Sequence, residues 1–188
     1  MKKLLILLSL ILLSTPANCA GTIVTYTIDA EKNATEHNNK GLLYASEKNY
    51  YGALQEYKMA ISLNPKTQAT ATYFNNLGKV YLSIGYPELA LDCFSNAITQ
   101  YNLNLEFYQN LIECHKQLGQ INSQLEIYQT KINSNNPFDK IMLGLLHEQM
   151  GNHKKAIIIL DEFVTSEPDL IITPAVKYHI QEIVDKII

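Results

Sequence analysis

The histidines are the residues of this sequence whose type is best suited to metal binding or proton transfer. His147 and Glu148 begin the run HEQMGNH. A zinc-binding helix needs two histidines at i and i+4, so that both rings reach one metal ion. The next histidine is His153, which lies beyond Gly151 and beyond the expected end of the helix. The spacing therefore does not predict a metal site, and His147 is interpreted as a ring that fills a packing position.

Other catalytic patterns do not occur in the sequence either. It contains no GxSxG turn, no glycine-rich phosphate loop and no CxxC pair. Its serines and aspartates have no spacing that suggests a catalytic triad. We therefore expect a protein that is not an enzyme and that needs no cofactor or metal. An active site assembled only in three dimensions is the alternative.

Composition and charge narrow the class of partner. The chain has 188 residues and a net charge of −3; 47% of it is apolar and 18% is charged. It is long enough for one domain, or for an array that acts as one, and it can bury a core. All fifteen basic residues are lysines, so the planar guanidinium fork that grips carboxylates and phosphates is absent. A charge this near zero argues against nucleic-acid binding.

The first twenty residues have the pattern of an export signal. Lysines at positions 2 and 3 precede an apolar run over 4–13, and small residues follow it. This order is typical of a secretory signal peptide. Ten helical residues reach about 15 Å, half of a hydrocarbon core of about 30 Å. We assign residues 1–19 to a signal peptide and expect a periplasmic or secreted protein.

The three cysteines leave alternatives open. Cleavage after Ala17 or after Cys19 would each place small residues near the site. Cys19 is also a possible lipidation site, although lipoprotein signals use Ala or Gly where this chain has Asn18; membrane attachment is expected only in that case. After export, Cys93 and Cys114 would pair only if their Cα atoms lie within about 7 Å. Otherwise they act as two small buried hydrophobes.

Residues after the leader repeat at intervals of 32 to 37 positions. Glycines recur at 41, 78 and 144, and alanines follow each of them at 53, 90 and 156. Within each unit, the positions expected to pack on one helix face follow the spacing i, i+3, i+4, i+7. A second group of positions later in the unit follows the spacing of a second helix face. The pattern therefore predicts two helices per unit that approach closely where glycine meets alanine. Self-similarity at this period indicates a solenoid of stacked helix pairs.

These residues resemble the tetratricopeptide repeat family, whose units are about 34 residues long. The second unit matches its pattern well, with Leu77, Gly78, Tyr81, Ala90 and Phe94. The third unit departs from the pattern because Gln124 and Lys131 stand where the family has alanine. The resemblance implies an all-α fold, a right-handed α-solenoid of about four helix pairs. The predicted units are 34–67, 71–104, 105–136 and 137–170.

Turn residues and chain ends fit this architecture. Gly85, Gly119 and Gly151 fall between the two helices of a unit, where a left-handed residue ends the first helix. Residues 171–188 form an amphipathic segment that we predict to be a helix capping the open end of the stack. Residues 22–28 are β-prone but have no partner strand, so we expect residues 20–33 to form an extended leader.

The side of each first helix that faces away from the packing is predicted to line a curved groove. Carboxamides carry both donors and acceptors, so a ladder of them suits the backbone of an extended peptide. Apolar residues of the fourth unit would receive a hydrophobic side chain. The predicted peptide-binding residues are Asn38, Asn39, Leu42, Asn75, Asn76, Lys79, Gln109, Asn110, Glu113, Lys116, Ile141 and Leu145.

Three functions are compatible with this pattern. In the first, a non-enzymatic scaffold in the cell envelope or outside the cell binds a partner protein or peptide of unknown identity in its groove. In the second, the groove is idle, its asparagines serve solubility or local hydrogen bonds, and the array self-associates. The third is an envelope lipoprotein assembly factor anchored through Cys19. The sequence does not predict the oligomeric state.

Overall fold

In the computed structural model, the chain is described over residues 29–64, 66–132 and 134–187, and these residues form helices joined by short turns without any strand. The predicted signal peptide, Cys19 and residues 20–28 of the predicted leader lie outside this part. No helix within these ranges combines the length and apolar character needed to cross a membrane. The helices are α1 Ala30–Ser46, α2 Tyr50–Leu63, α3 Gln68–Ser83, α4 Pro87–Gln100, α5 Leu105–Gln117, α6 Ile121–Thr130, α7 Phe138–Gln149, α8 His153–Ser166 and α9 Thr173–Ile187.

The start of α1 corrects one boundary. The helix begins at Ala30, inside the segment predicted to be an extended leader. The side chain of Asp29 accepts a hydrogen bond of 2.9 Å from the backbone N–H of Lys32. An aspartate at this position satisfies one of the free N–H groups of the first turn and carries a favourable charge. The helix therefore begins directly after its capping residue Asp29, before residue 34, where the first predicted repeat unit begins.

Consecutive helices pack as antiparallel pairs, α1 with α2, α3 with α4 and α7 with α8, and each pair packs on the next. The close approach inside a pair depends on glycine. A Cβ atom added to Gly78 would lie 2.7 Å from a ring carbon of Phe94, and one added to Gly41 would lie 2.6 Å from the ring of Tyr57. The repeated glycine thus accommodates the large side chain of the second helix.

The turns inside the pairs use left-handed residues. Gly85, Gly119 and Gly151 have φ of 82°, 68° and 75°, as their positions in the repeat predict. The first pair uses Lys48 instead, with φ of 60°. A lysine in this conformation carries a steric cost that glycine avoids. Its residue type gives no signal for the turn, which is why the sequence pattern did not identify it.

The third pair is irregular. Gln124 and Lys131 occupy the positions where the other units place small or apolar residues, and α6 buries none of its ten residues. Helix α5 instead packs directly on α7. The continuous core therefore runs through α4, α5, α7, α8 and α9, and α6 lies at its edge.

The two described cysteines are buried free thiols. Burial raises the pKa of both Cys93 and Cys114 to about 12. At neutral pH both are protonated and shielded from solvent, so they pack as small hydrophobes.

Candidate functional site

The first helices meet along one side of the stack. Hydrogen bonds join α1 to α3, α3 to α5, and both α5 and α7 to α9. We call the exposed and half-exposed side chains along this line the first-helix surface. Its residues on α1, α3 and α5 are Asn39, Leu42, Lys79, Glu106, Gln109, Asn110, Glu113 and Lys116, and α9 adds Tyr178 and Glu182.

Most of the predicted carboxamide ladder bonds to itself. Asn76 Nδ2 donates to Asn38 Oδ1 over 2.9 Å, and Asn110 Nδ2 donates to Asn75 Oδ1 over 2.8 Å. Asn38, Asn75 and Asn76 are only 8%, 2% and 9% exposed. The prediction that these three bind a peptide is therefore corrected. Their carboxamides join neighbouring repeats, because the close packing of the first helices brings them within hydrogen-bond distance.

The predicted apolar end of the groove is also corrected. Ile141 is fully buried and Leu145 is 3% exposed. Both belong to a core that includes Val176 and Ile183 of α9. The capping helix therefore completes the core on which these two side chains depend, and they offer no surface to a partner.

The predicted peptide-binding residues that lie at the surface are mostly polar or charged. Lys79 Nζ lies 3.0 Å from Glu106 Oε1, which also accepts from Asn75 Nδ2 over 3.4 Å. Burial would raise the pKa of Glu106, but the hydrogen bond and charge of Lys79, with help from Asn75, outweigh it and lower that pKa. Glu106 is thus a stable carboxylate in the middle of the first-helix surface.

Two further charges lie farther along α5. Lys116 Nζ and Glu113 Oε2 are 3.6 Å apart on successive turns. Both side chains are more than 40% exposed, so the pair contributes little to stability and stays accessible to a partner.

An indentation lies between α1 and α3 at one end of this surface. It has a volume of about 230 Å³ and is lined by Leu42, Ala45, Tyr50 and Val80, with Lys79 at its polar side. Leu42 is 47% exposed. Among the predicted peptide-binding residues, Leu42 therefore combines an apolar side chain with access to solvent.

A larger cavity, about 620 Å³, lies at the other end between α5 and α9. Glu106 and Gln109 line it together with Ile171, Tyr178 and Glu182. Ile171 and Tyr178 are 72% and 69% exposed. Sequence reasoning assigned the segment 171–188 to capping alone and missed this contribution. The signal that could have identified it is Tyr178, a large aromatic residue on the exposed side of α9.

Helix α9, which forms one wall of this cavity, is bonded to its neighbours through a buried histidine. His179 Nε2 lies 2.6 Å from Glu148 Oε2, and its Nδ1 lies 3.2 Å from Glu182 Oε2. The Gln109 carboxamide is 3.4 Å from the same Nδ1, and Lys186 Nζ is 3.6 Å from Glu148 Oε1. His179 therefore links α9 to both α5 and α7.

The pKa values of this cluster favour the charged forms. The hydrogen bond to Glu148 raises the pKa of His179 despite burial, and Glu182 adds to the effect. Burial would raise the pKa of Glu148, but His179 and Lys186 together lower it. The two side chains thus form an ion pair that fixes α9 beside the first-helix surface.

His115 and His147 fill packing positions and do not form a catalytic or metal site. His115 and His147 are 7% and 5% exposed and occupy the same position of their repeats. Burial and the charge of Lys155 lower the pKa of His147. Over the described ranges, no three His, Cys, Asp or Glu side chains are grouped closely enough to hold a metal ion.

The asparagine ladder gives a first testable prediction. Asn75→Ala removes the acceptor of Asn110 and a donor to Glu106, so we expect the free energy of unfolding to fall by about 1–3 kcal/mol. Asn39→Ala is the matched control, because Asn39 is exposed, and we expect a change within about 0.5 kcal/mol. Urea denaturation followed by circular dichroism measures both. Equal losses in the two variants would show that the ladder does not join the repeats.

Comparison with known proteins agrees with this geometry. The tetratricopeptide repeat model matches residues 37–67, 71–101 and 140–170, which are the first, second and fourth helix pairs. The fold is that of an all-α repeat solenoid. The chain belongs to the tetratricopeptide repeat family.

Solved structures resemble the fold at low sequence identity. A tetratricopeptide repeat protein from Parabacteroides merdae is 18% identical, with a TM-score of 0.50; the match covers 82% of this chain and 61% of that one. The MamA protein is 21% identical, with a TM-score of 0.48 over 82% of this chain and 87% of its own. YrrB, described as a TPR protein with an unusual peptide-binding site, is 20% identical, with a TM-score of 0.45 over 77% and 74%. No curated protein sequence matches significantly.

Proposed function

We propose that this protein is a non-enzymatic scaffold that holds an extended segment of a partner protein along the first-helix surface. The observation that carries the proposal is the arrangement of two partly apolar cavities, of about 230 and 620 Å³, at the ends of a polar strip. Concave sites with apolar walls and a few placed polar groups are suited to ligand binding.

The chemistry of the strip specifies the partner segment. The Lys79–Glu106 ion pair offers charged groups to a peptide backbone. The half-exposed carboxamides of Gln109 and Asn110, whose amino groups already bond to His179 and Asn75, offer their oxygens as acceptors. Leu42 at one end and Ile171 with Tyr178 at the other offer apolar contacts. The segment that fits has a polar centre and one large apolar side chain on each side of it.

We place the function in the cell envelope or outside the cell. Support comes from the basic, apolar and small residues in order over 1–20, which are typical of an export signal. The intact mass of the processed chain tests this proposal. A mass that matches a chain starting directly after residue 17 or 19 supports export. A mass that matches a chain retaining a lipidated Cys19 supports membrane anchoring. The mass of the unprocessed chain contradicts both.

The second prediction tests the groove through a matched pair of tyrosines. Tyr178 and Tyr51 are similarly exposed, at 69% and 75%, but only Tyr178 lines the large cavity. Peptides are first selected on the full chain from a displayed random library. We expect Tyr178→Ala to weaken the selected peptide at least about tenfold, because a buried aromatic contact in an interface is worth more than about 1.4 kcal/mol.

Fluorescence polarisation of the labelled peptide gives both dissociation constants. Tyr51→Ala should bind like the wild type, and neither variant should change the melting temperature, because both side chains are exposed. A selection that enriches no peptide, or equal weakening by both substitutions, would contradict the proposed surface.

A further inference from the structure

A cavity beside the irregular third helix pair lies away from the first-helix surface. Helices α4, α5, α6 and α7 border a space of about 510 Å³. From the third pair, Tyr108 and Leu111 of α5 and Tyr128 of α6 line this space. The cavity therefore borders α6, the helix that buries none of its residues.

Aromatic rings form much of the cavity wall. Tyr108, Tyr128 and Phe138 contribute from α5, α6 and α7. The rings of Tyr108 and Phe138 are stacked, with centroids 6.3 Å apart and planes inclined by 12°. The electron-rich face of an aromatic ring attracts a cation that approaches within about 6 Å of its centroid.

One carboxylate completes the wall. Asp139 is the charged residue among the described lining residues. Its oxygens accept hydrogen bonds from Ser134 Oγ over 2.6 Å and from Asn136 Nδ2 over 3.3 Å, which are neutral donors. Among the described residues, no lysine or histidine nitrogen lies within 4.0 Å of this carboxylate.

The negative charge acts on the rings beside it. Burial raises the pKa of Tyr128, and Asp139 raises it further. Burial also raises the pKa of Tyr108, with additional contributions from Tyr128 and Asp139. Both phenols therefore stay protonated and uncharged at neutral pH, and their rings present neutral aromatic faces beside Asp139.

The chain itself contains one contact between an ammonium group and a ring of this cavity. Lys131 Nζ lies 4.8 Å from the centroid of the Tyr128 ring, although Lys131 does not line the cavity. The ring of Tyr128 is thus accessible to an ammonium group.

We propose that this cavity binds an organic ammonium group, held between the Tyr108, Tyr128 and Phe138 rings and the Asp139 carboxylate. Carboxylate and aromatic faces together recognise a cation with an alkyl body, because the charge pairs with Asp139 while the alkyl groups contact the rings. The group comes either from a free amine or from a lysine side chain of a partner.

Isothermal titration calorimetry with choline and its uncharged analogue 3,3-dimethyl-1-butanol tests the charge requirement on the full processed chain. We expect choline to bind at least about tenfold more tightly than the uncharged analogue, since the two differ mainly in charge. Equal measurable binding of choline and the uncharged analogue would overturn the proposal, and so would the absence of heat from both choline and Nα-acetyl-lysine amide at millimolar concentrations.

Matched variants locate the site. Asp139→Asn should weaken choline binding about tenfold, whereas Asp161→Asn, at an exposed aspartate on α8, should leave it unchanged. Should Asp139→Asn fail to fold, Tyr128→Leu and Tyr128→Phe replace it, because phenylalanine retains the aromatic face and leucine does not. Equal binding by those two variants would contradict the assignment.

A third titration separates the two sources of the ammonium group. Nα-acetyl-lysine amide presents the lysine side chain without a free α-amine. Tighter binding of this compound than of choline assigns the cavity to a partner's lysine, and tighter binding of choline assigns it to a free quaternary amine. Failure of both compounds overturns the proposal without affecting the first-helix surface, whose test uses Tyr178.

Discussion

Replacing Gly78 by valine is expected to lower the free energy of unfolding by about 3 kcal/mol, the largest effect expected of any single substitution discussed. A Cβ at this position lies 2.7 Å from one ring carbon of Phe94 and 3.0 Å from two others. Phe94 is fully buried, so its ring cannot move into solvent. The added atoms must separate α3 from α4 or force the ring out of its rotamer, and both outcomes weaken the core.

The control for this substitution is Lys79→Val in the same helix. Lys79 is exposed, so valine there tests only the lower helix propensity and the loss of the Lys79–Glu106 pair. Each is worth less than about 1 kcal/mol. Chemical denaturation of the two variants gives the comparison. If Gly78→Val cost no more than Lys79→Val, the repeated glycine would not be what permits close packing within the pairs.

The second large effect concerns the ion pair that anchors α9. Glu148→Gln is expected to lower the free energy of unfolding by about 2 kcal/mol at pH 6, because it leaves a protonated His179 without its main partner. The two side chains are 8% and 13% exposed, so water screens their interaction weakly. Glu182→Gln is the control, since that side chain is 45% exposed and the expected loss is smaller.

The pH dependence of this effect has a defined sign. Because the folded pKa of His179 is raised, its contribution is complete below the ordinary value of 6.5 and is lost as pH rises through the folded pKa. Because the folded pKa of Glu148 is lowered, its contribution is present above the ordinary value of 4.5 and is lost as pH falls through the folded pKa.

The stabilisation by the pair is therefore greatest between about pH 4.5 and 6.5 and declines toward pH 8. Melting temperatures of wild type and Glu148→Gln, measured from pH 5 to pH 8, should differ most at the acidic end of that range. A constant difference across this range would mean that the two side chains do not act as an ion pair.

The sequence predicted the helix pairs because their determinants are local. The spacing of Gly78, Ala90 and Phe94 follows helical periodicity within one unit, and Gly85 identifies the turn by its residue type. The α6 irregularity was also readable from Gln124 and Lys131, because a long polar side chain cannot replace alanine at a close contact. Such features depend on neighbours along the chain.

The site was predicted less well because its residues depend on contacts between units. Asn75 and Asn110 are 35 positions apart, and only the packing of α3 on α5 brings their carboxamides together. Ile141 and Leu145 share a core with Val176 and Ile183 of α9, a contact that spacing within one repeat does not reveal. His179 carried no signal for its role, because its partner Glu148 lies 31 positions away on another helix.

The central claim is that a partner segment lies along the first-helix surface and not on the second helices, and site-specific photo-crosslinking of the selected peptide tests it most directly. Benzoylphenylalanine is placed at Leu42 and Tyr178, and at Met59 and Ile158 on the second helices, whose exposures of 48% and 59% resemble the 47% and 69% of the first two. We predict crosslinks from Leu42 and Tyr178 to opposite ends of the same peptide. Crosslinks mainly from Met59 or Ile158 would contradict the account.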